Sequence, residues 1–304
     1  MMERRGFIKK VGLGSTLLGV SGAMSLPSFA GGKAEPTFNM DFAPHFGMFR
    51  NSAPGGIVDE LKFMADQGFR SLEDNGMLGR SVEEQTLIGK TLQSLGMRMG
   101  VFVIDGGENW KTSLTTGKKE HEDLFVDTCK KSVEVAKRVG AKWMTVVPGY
   151  FERNLPIGVQ TGNVIEAYKR GAEVLEKEGL VMVMEPLSDN PDLFLRHADQ
   201  SYMICKAVDS PACKILYDIY HMQRNEGDLI ATMEKTWEEI DYIQIGDNPG
   251  RKEPGTGEIN YSNVFKYIHE KGFKGVMGME HGNASPGVDG EKALIQAYRK
   301  VDIV

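Results

Sequence analysis

Eight short apolar runs alternate with eight longer amphipathic stretches along this chain, and few folds can absorb such a pattern. The short runs are Phe38–Ala43, Phe69–Glu73, Arg98–Ile104, Trp143–Val147, Leu180–Glu185, Lys214–Ile219, Tyr242–Gly246 and Gly275–Glu280. They are brief and often β-branched or aromatic, as buried strands are. Helical periodicity fills the intervals, at 55–67, 81–95, 120–139, 161–178, 195–208, 226–239, 261–271 and 289–301. Gly68, Gly96, Gly140, Gly179 and Gly272 fall just before the next strand, where a left-handed residue closes a helix. Strand and helix taken in turn eight times over roughly 265 residues predict an α/β fold, a single-domain (β/α)8 TIM barrel. The rival is an open doubly wound sheet, and no GxGxxG follows the first strand to support it.

The first 30 residues stand outside this alternation. Arg4, Arg5, Lys9 and Lys10 precede a mildly apolar stretch from Val11 to Leu26, and Ser28-Phe29-Ala30 puts small residues at the −3 and −1 positions of a cleavage site. Arg4-Arg5 followed by Gly6-Phe7-Ile8-Lys9 resembles a twin-arginine export signal. The expected division is therefore a signal peptide over 1–30 and a barrel over 31–304, with export to the periplasm. A helical membrane anchor is the weaker reading, because the apolar stretch is short and diluted by Gly and Ser. A net charge of −6 argues against general nucleic-acid binding, which needs a basic surface to neutralise phosphates. It gives no reason to expect binding to an anionic membrane after cleavage. The expected partner is a small-molecule substrate, and a homo-oligomer is left open. Cys129, Cys205 and Cys213 match no zinc spacing and read as buried thiols. A Cys205–Cys213 bridge stays open for an exported protein.

Barrels of this kind do chemistry at the C-terminal ends of their strands. Four consecutive strands end in an oxygen donor: Glu185, Asp218, Gln244 and Glu280. Three carboxylates converging in a barrel mouth repel one another unless a cation compensates. A hard divalent ion, Mg2+ or Mn2+, satisfies that requirement with oxygen ligands. Taken singly, each acid could equally cap a helix or pair with a Lys or Arg; four in register favour the metal site. His221, three residues past Asp218, is placed for substrate contact. Arg224 and Arg251 could each meet an anionic substrate with a planar fork, and Arg251, in a loop, is the better placed. His45 after the first strand and Glu73 at the end of the second also point to the mouth as pocket-lining candidates. Glu253-Pro254-Gly255-Thr256-Gly257-Glu258 reads as an anion loop or, equally, as a plain turn. The loop 105–119 reads equally as a lid or as a decorative insert. His121, His197 and His269 read as surface residues.

YDIYHMQRNEGDL (217–229) and IQIGDNPGRKEPGTGEINY (243–261), with MEPL (184–187) and GMEHG (278–282), resemble the hydroxypyruvate isomerase family of xylose-isomerase-like TIM barrels. The resemblance extends as a barrel layout over roughly residues 38–300. It implies interconversion of hydroxypyruvate and tartronate semialdehyde, with Glu185 and Glu280 as the two acid/base glutamates. It implies Glu185, Asp218, Gln244 and Glu280 as metal ligands and His221 as the histidine that follows the strand-6 aspartate. After Glu280 the family often continues with an aromatic residue, a Lys and a Pro, whereas this chain has His281-Gly282-Asn283. Two alternatives are a keto-sugar epimerase on the same scaffold and an exported sugar-binding barrel without turnover. A nuclease of the same superfamily is disfavoured by only six histidines and an acidic balance.

Overall fold

The computed structural model describes residues 35–104 and 113–303. The predicted leader, and residues 105–112 of the loop read as either a lid or a decorative insert, lie outside the described residues. The strands are β1 (Phe42–Ala43), β2 (Ser71–Leu72), β3 (Arg98–Met99), β4 (Phe102–Val103), β5 (Trp143–Val146), β6 (Val181–Met184), β7 (Cys213–Asp218), β8 (Ile240–Gln244) and β9 (Met277–Gly278). The helices are α1 (Ile57–Asp66), α2 (Val82–Leu95), α3 (Lys119–Val139), α4 (Ile157–Leu175), α5 (Ala198–Val208), α6 (Ile219–Asn225), α7 (Leu229–Thr236), α8 (Tyr261–Glu270) and α9 (Gly287–Val301).

All strand pairing between named strands is parallel. One sheet runs β4-β5-β6-β7-β8-β9-β1, and β2 pairs with β3. Backbone hydrogen bonds join these two parts into a ring: Glu73 N donates to Pro44 O over 2.9 Å, and Gly100 N to Leu72 O over 2.7 Å. The third predicted strand is broken into β3 and β4 at Gly100-Val101. A Cβ at Gly100 would overlap the Tyr242 hydroxyl, so this break needs glycine for close approach. Eight barrel strands result, one of them in two pieces.

The helices sit close to their predicted places. Ser81 and Glu84 form a reciprocal capping box at the start of α2, and Gly96 and Gly140 close α2 and α3 in the left-handed conformation. The short α6 was not predicted. It exists because Asp218, the last residue of β7, doubles as its N-cap.

A large apolar cluster lies between helices and barrel wall, and a smaller one unites Ala43, Val101, Trp143, Val181, Val183, Leu216, Tyr242 and Val276. The second cluster draws residues from nearly every strand and fills the barrel interior. Side chains alternate along a strand, so the residue two further on faces inward one layer higher. Two residues beyond Val183, Leu216, Tyr242 and Ala43 are Glu185, Asp218, Gln244 and His45, and four beyond Val276 is Glu280. The apolar layer thus forms the floor on which the polar residues stand. Cys129, Cys205 and Cys213 are buried and free, with no disulfide between Cys205 and Cys213. Among the described residues no helix is long and apolar enough to cross a membrane.

Candidate active site

Ligand atoms of Glu185, Asp218, His221 and Glu280 all lie within 4.8 Å of one another. The sequence-predicted carboxylates therefore converge. Glu185 stays in the sheet beyond β6, its N–H donating to Val146 O over 3.2 Å. Asp218 Oδ1 accepts from the backbone of Tyr220 (2.7 Å) and His221 (3.2 Å), leaving Oδ2 for the pocket. Arg251, held at φ 48 with its N–H bonded to Asp247 O (2.8 Å), brings Nη2 to Asp218 Oδ2 (3.1 Å) and Glu280 Oε2 (2.6 Å). Its guanidinium is thus divided between the carboxylates of the cluster.

Burial and the neighbouring carboxylates push Glu185 and Glu280 well above the usual range, with Arg251 opposing. Burial acts the same way on Asp218, but the His221 ring beside it, the Arg251 guanidinium and the His221 amide outweigh it and hold its carboxyl below the ordinary value. One acid stays ionised while two resist ionisation, as expected for acids sharing a site short of positive charge.

His221 is completely buried, and its Nδ1 accepts a hydrogen bond from the backbone N–H of Ser188 (3.2 Å), with Ser188 Oγ at 2.8 Å. A backbone N–H can only donate, so Nδ1 carries no proton and the neutral ring is protonated on Nε2. Burial lowers the pKa of His221 and favours that neutral form. Nε2 lies 3.5 Å from Asp218 Oδ2 and 3.7 Å from Glu185 Oε1, without a hydrogen-bond partner. It is a donor facing the pocket, and it lacks the free lone pair a metal ligand needs.

Gln244 offers the fourth oxygen. Its Nε2 donates to Glu73 Oε1 (3.0 Å), and Tyr242 Oη donates to Glu73 Oε2 (2.9 Å). With the nitrogen engaged, the free amide atom is Oε1, which is buried without a partner. Glu73 therefore lies behind Gln244 rather than at the open mouth. Burial pushes its carboxyl up to about 8. Gly278 permits this arrangement, because a Cβ there would overlap Glu73 Oε2. His45 is half-buried, with Nδ1 3.0 Å from Phe46 O and Nε2 3.1 Å from His281 O.

Glu185, Asp218 and Glu280 converge, and Gln244, paired with Asp218 on the adjacent strand, adds a buried Oε1 without a partner; these oxygens are the donor types that suit a hard divalent ion. Three residues missed from the sequence support it. Asn75 Nδ2 donates to Glu280 Oε1 over 3.0 Å, Ser188 fixes the His221 tautomer, and Tyr242 anchors Glu73. Asn75 lies two residues past Glu73, so following strand alternation one step further would have found it. The run 253–258 is a turn organised by buried Asp247, which accepts from the amides of Gly255 (2.9 Å), Gly257 (2.8 Å) and Ile259 (3.1 Å). Those amides are not available to an anion. Arg224 packs on the Tyr220 ring, 5.4 Å from its centroid. His197 and His269 are exposed, and His121 is half-buried against Ser113 O (3.0 Å).

This barrel, with polar side chains gathered at its strand ends, belongs to the Xylose isomerase-like TIM barrel family, whose pattern matches residues 61–301. Within it, the chain is 35% identical over 162 residues to hydroxypyruvate isomerase of Escherichia coli, covering 53% of this chain and 63% of that protein. It is 29% identical over 244 residues to 2-oxo-tetronate isomerase of Cupriavidus necator, covering 79% and 92%. Among solved structures, an AP endonuclease, family 2, from Brucella melitensis aligns with a TM-score of 0.73 at 23% identity, over 83% of this chain and 96% of that one. That likeness speaks for the fold alone.

Proposed function

We propose that the protein is a metal-dependent isomerase that moves a carbonyl between adjacent carbons of a small hydroxycarbonyl compound, hydroxypyruvate and tartronate semialdehyde or a close relative. The observation that carries this reading is the convergence of Glu185, Asp218 and Glu280, with the unpartnered Gln244 Oε1 on the strand paired with Asp218 and a neutral His221 that presents an N–H. The names of the isomerase relatives support the same reaction class.

Isomerisation removes a proton from one carbon, returns one to its neighbour, and passes the hydroxyl proton from the first carbon's oxygen to the second's. Glu185 and Glu280, on β6 and just beyond β9, serve as the two proton carriers. Glu185 Oε1 has no competing hydrogen bond, and Asn75 steadies Glu280. His221 Nε2–H donates to the substrate oxygen on which negative charge develops. Mg2+ or Mn2+, held by Glu185, Asp218, Gln244 and Glu280, supplies the positive charge that makes such an oxygen affordable and keeps the acids ionised. Near-complete burial of Glu185, Asp218 and Gln244 excludes water from the reacting carbons.

Metal-stripped protein should regain activity with Mg2+ or Mn2+, with conversion of hydroxypyruvate followed by NMR in D2O. Solvent deuterium on the reacting carbon is the expected result. A product without deuterium under exchange conditions would replace proton transfer by a hydride shift. A product that stays a ketone with one inverted centre would make the enzyme an epimerase, and sugar binding without any turnover would make it a binding protein. The residues 1–30 are proposed to direct export through the twin-arginine route. N-terminal sequencing of periplasmic protein should begin at Gly31, and full-length protein confined to the cytoplasm would overturn export.

A further inference from the structure

The loops after β1, β8 and β9 enclose a second cavity of about 820 Å3. His45, Arg50, Asn51, Lys252, Asn283 and Ser285 supply its polar lining, and no acidic side chain lines it. It adjoins the carboxylate cluster through the chain itself. Lys252 follows Arg251, Gly282 N donates to Arg251 O over 3.2 Å, and His45 Nε2 lies 3.1 Å from the carbonyl of His281, the residue after Glu280.

The charges here are arranged unlike those of the cluster. Among the described residues, neither Arg50 nor Lys252 is paired with a carboxylate. The acids of the neighbouring segments are committed elsewhere. Glu60 accepts from the amides of Gly47 (2.8 Å) and Phe49 (2.9 Å), Glu253 from Ala284 (2.8 Å), and Glu291 from Asn51 (2.9 Å) and Ser52 (2.7 Å). Lys252 is half-buried, and its Nζ rests 2.8 Å from where a Cβ on Gly282 would be. A side chain at 282 would therefore press on the ammonium, which its flexible stem would let shift by a small amount. Arg251, the cation at the carboxylate cluster, is already engaged through Nη2 with both Asp218 and Glu280.

We propose that this cavity is an anion subsite in which Lys252 and Arg50 receive the substrate's carboxylate, so that the enzyme selects small oxo- and hydroxy-acids over neutral sugars. The inference rests on the isomerase reading for the reaction, but anion binding can be measured without it. A half-buried ammonium and an exposed guanidinium, neither of them paired with a carboxylate among the described residues, attract a carboxylate or a phosphoryl group alike. A carboxylate is favoured because His45, Lys252 and Gly282 join the cavity to the segments that carry Arg251 and Glu280, at the site proposed for small hydroxycarbonyl compounds.

The test compares the metal-loaded full chain with Lys252→Met, Lys252→Arg and Gly282→Ala. The first readout is the ratio of kcat/KM for hydroxypyruvate to that for dihydroxyacetone, a neutral three-carbon ketose. Lys252→Met should lower this ratio by about 10-fold or more, the scale of one charged hydrogen bond, chiefly through KM for the acid. Lys252→Arg should restore most of it. Gly282→Ala keeps the charge and only nudges the flexible ammonium, and should lower the ratio by no more than about 3-fold. The second readout is calorimetric binding of D-glycerate, which carries the carboxylate but has no carbonyl to isomerise. Lys252-dependent glycerate binding without turnover of either substrate would keep the subsite and sink the isomerase reading. An unchanged ratio and unchanged glycerate affinity in Lys252→Met would overturn the subsite. Inorganic phosphate binding in this cavity more tightly than glycerate would overturn the choice of a carboxylic acid in favour of a phosphorylated substrate.

Discussion

Replacing Asp218 by Asn separates its two duties. Oδ1 caps α6 through Tyr220 and His221, and asparagine is as good an N-cap as aspartate, so the start of α6 should survive. Oδ2 faces Arg251 and the pocket, and there a unit of negative charge disappears from a residue only 1% exposed. Unit charges about 4 Å apart at an effective dielectric near 20 interact by about 4 kcal/mol. A divalent ion would feel more than that, offset by the amide oxygen that remains and by the smaller cost of burying a neutral group. A net loss of about 3 kcal/mol corresponds to metal binding weakened roughly 10²-fold. The assay is calorimetric titration of Mn2+ into chelator-stripped wild type and Asp218→Asn, with thermal unfolding of both stripped proteins. The stripped variant should unfold slightly below the wild-type temperature, because the ion pair with Arg251 that holds the Asp218 carboxyl below its ordinary value is lost. A Mn2+ Kd within about 3-fold of wild type would remove Asp218 from the ligand set. A large fall in the stripped variant's Tm would mean that the charge serves the fold.

Glu185→Gln and Glu280→Gln should each lower kcat by at least about 10²-fold, and the double variant should be little worse, because two carriers of one proton relay act as a unit; additive losses in steady-state kinetics would argue against the relay. In Glu73→Gln, the new amide can turn its NH2 toward Gln244, which must then rotate its own oxygen away from the pocket; Mn2+ affinity measured by calorimetry should fall roughly 10- to 100-fold, and an unchanged value would release Glu73 from its orienting role. His281 is buried, its Nδ1 3.1 Å from Gly282 O and its Nε2 2.7 Å from Tyr298 Oη, and burial lowers its pKa to about 3. The unfolded chain, titrating near 6.5, therefore takes up a proton that the folded protein refuses, so stability complete above about pH 6.5 is lost as pH falls toward about 3. Denaturant unfolding should show this slope in wild type and a shallower one in His281→Gln; equal slopes would move the acid sensitivity to another group.

The barrel was legible because alternation of short apolar and amphipathic segments is a property of sequence alone. The breaks were not. The third strand splits at Gly100 because Tyr242, more than a hundred residues away, fills the space a side chain would need, and no local pattern carries that information. The four oxygen donors were legible from their place at strand ends, where period-2 alternation puts them above the apolar floor. Glu73 obeyed the same rule and was placed at the mouth with the others. Its true neighbours are Tyr242 and Gln244, across the barrel, and only the closed ring brings them together. Lys252 and Gly282 were part of quoted motifs, yet their meeting depends on how two loops pack.

His221 carries the argument one step further, because its position and its role have different sources. Its place after β7 follows from the sequence, but its role follows from one backbone N–H, that of Ser188, on another strand's loop. That bond puts the ring proton on Nε2 and takes the histidine out of the donor set, leaving three carboxylates and an amide oxygen. A set without nitrogen or sulfur favours Mg2+ or Mn2+ over Zn2+. The charges agree: one divalent ion together with the Arg251 guanidinium that reaches Asp218 and Glu280 would balance the three carboxylates. With both cations present, the mutual repulsion that adds to burial in lifting Glu185 and Glu280 would be cancelled, and a neutral His221 would add a hydrogen bond without adding charge. The pocket can then accept the one negative charge that develops on the substrate as its proton is removed.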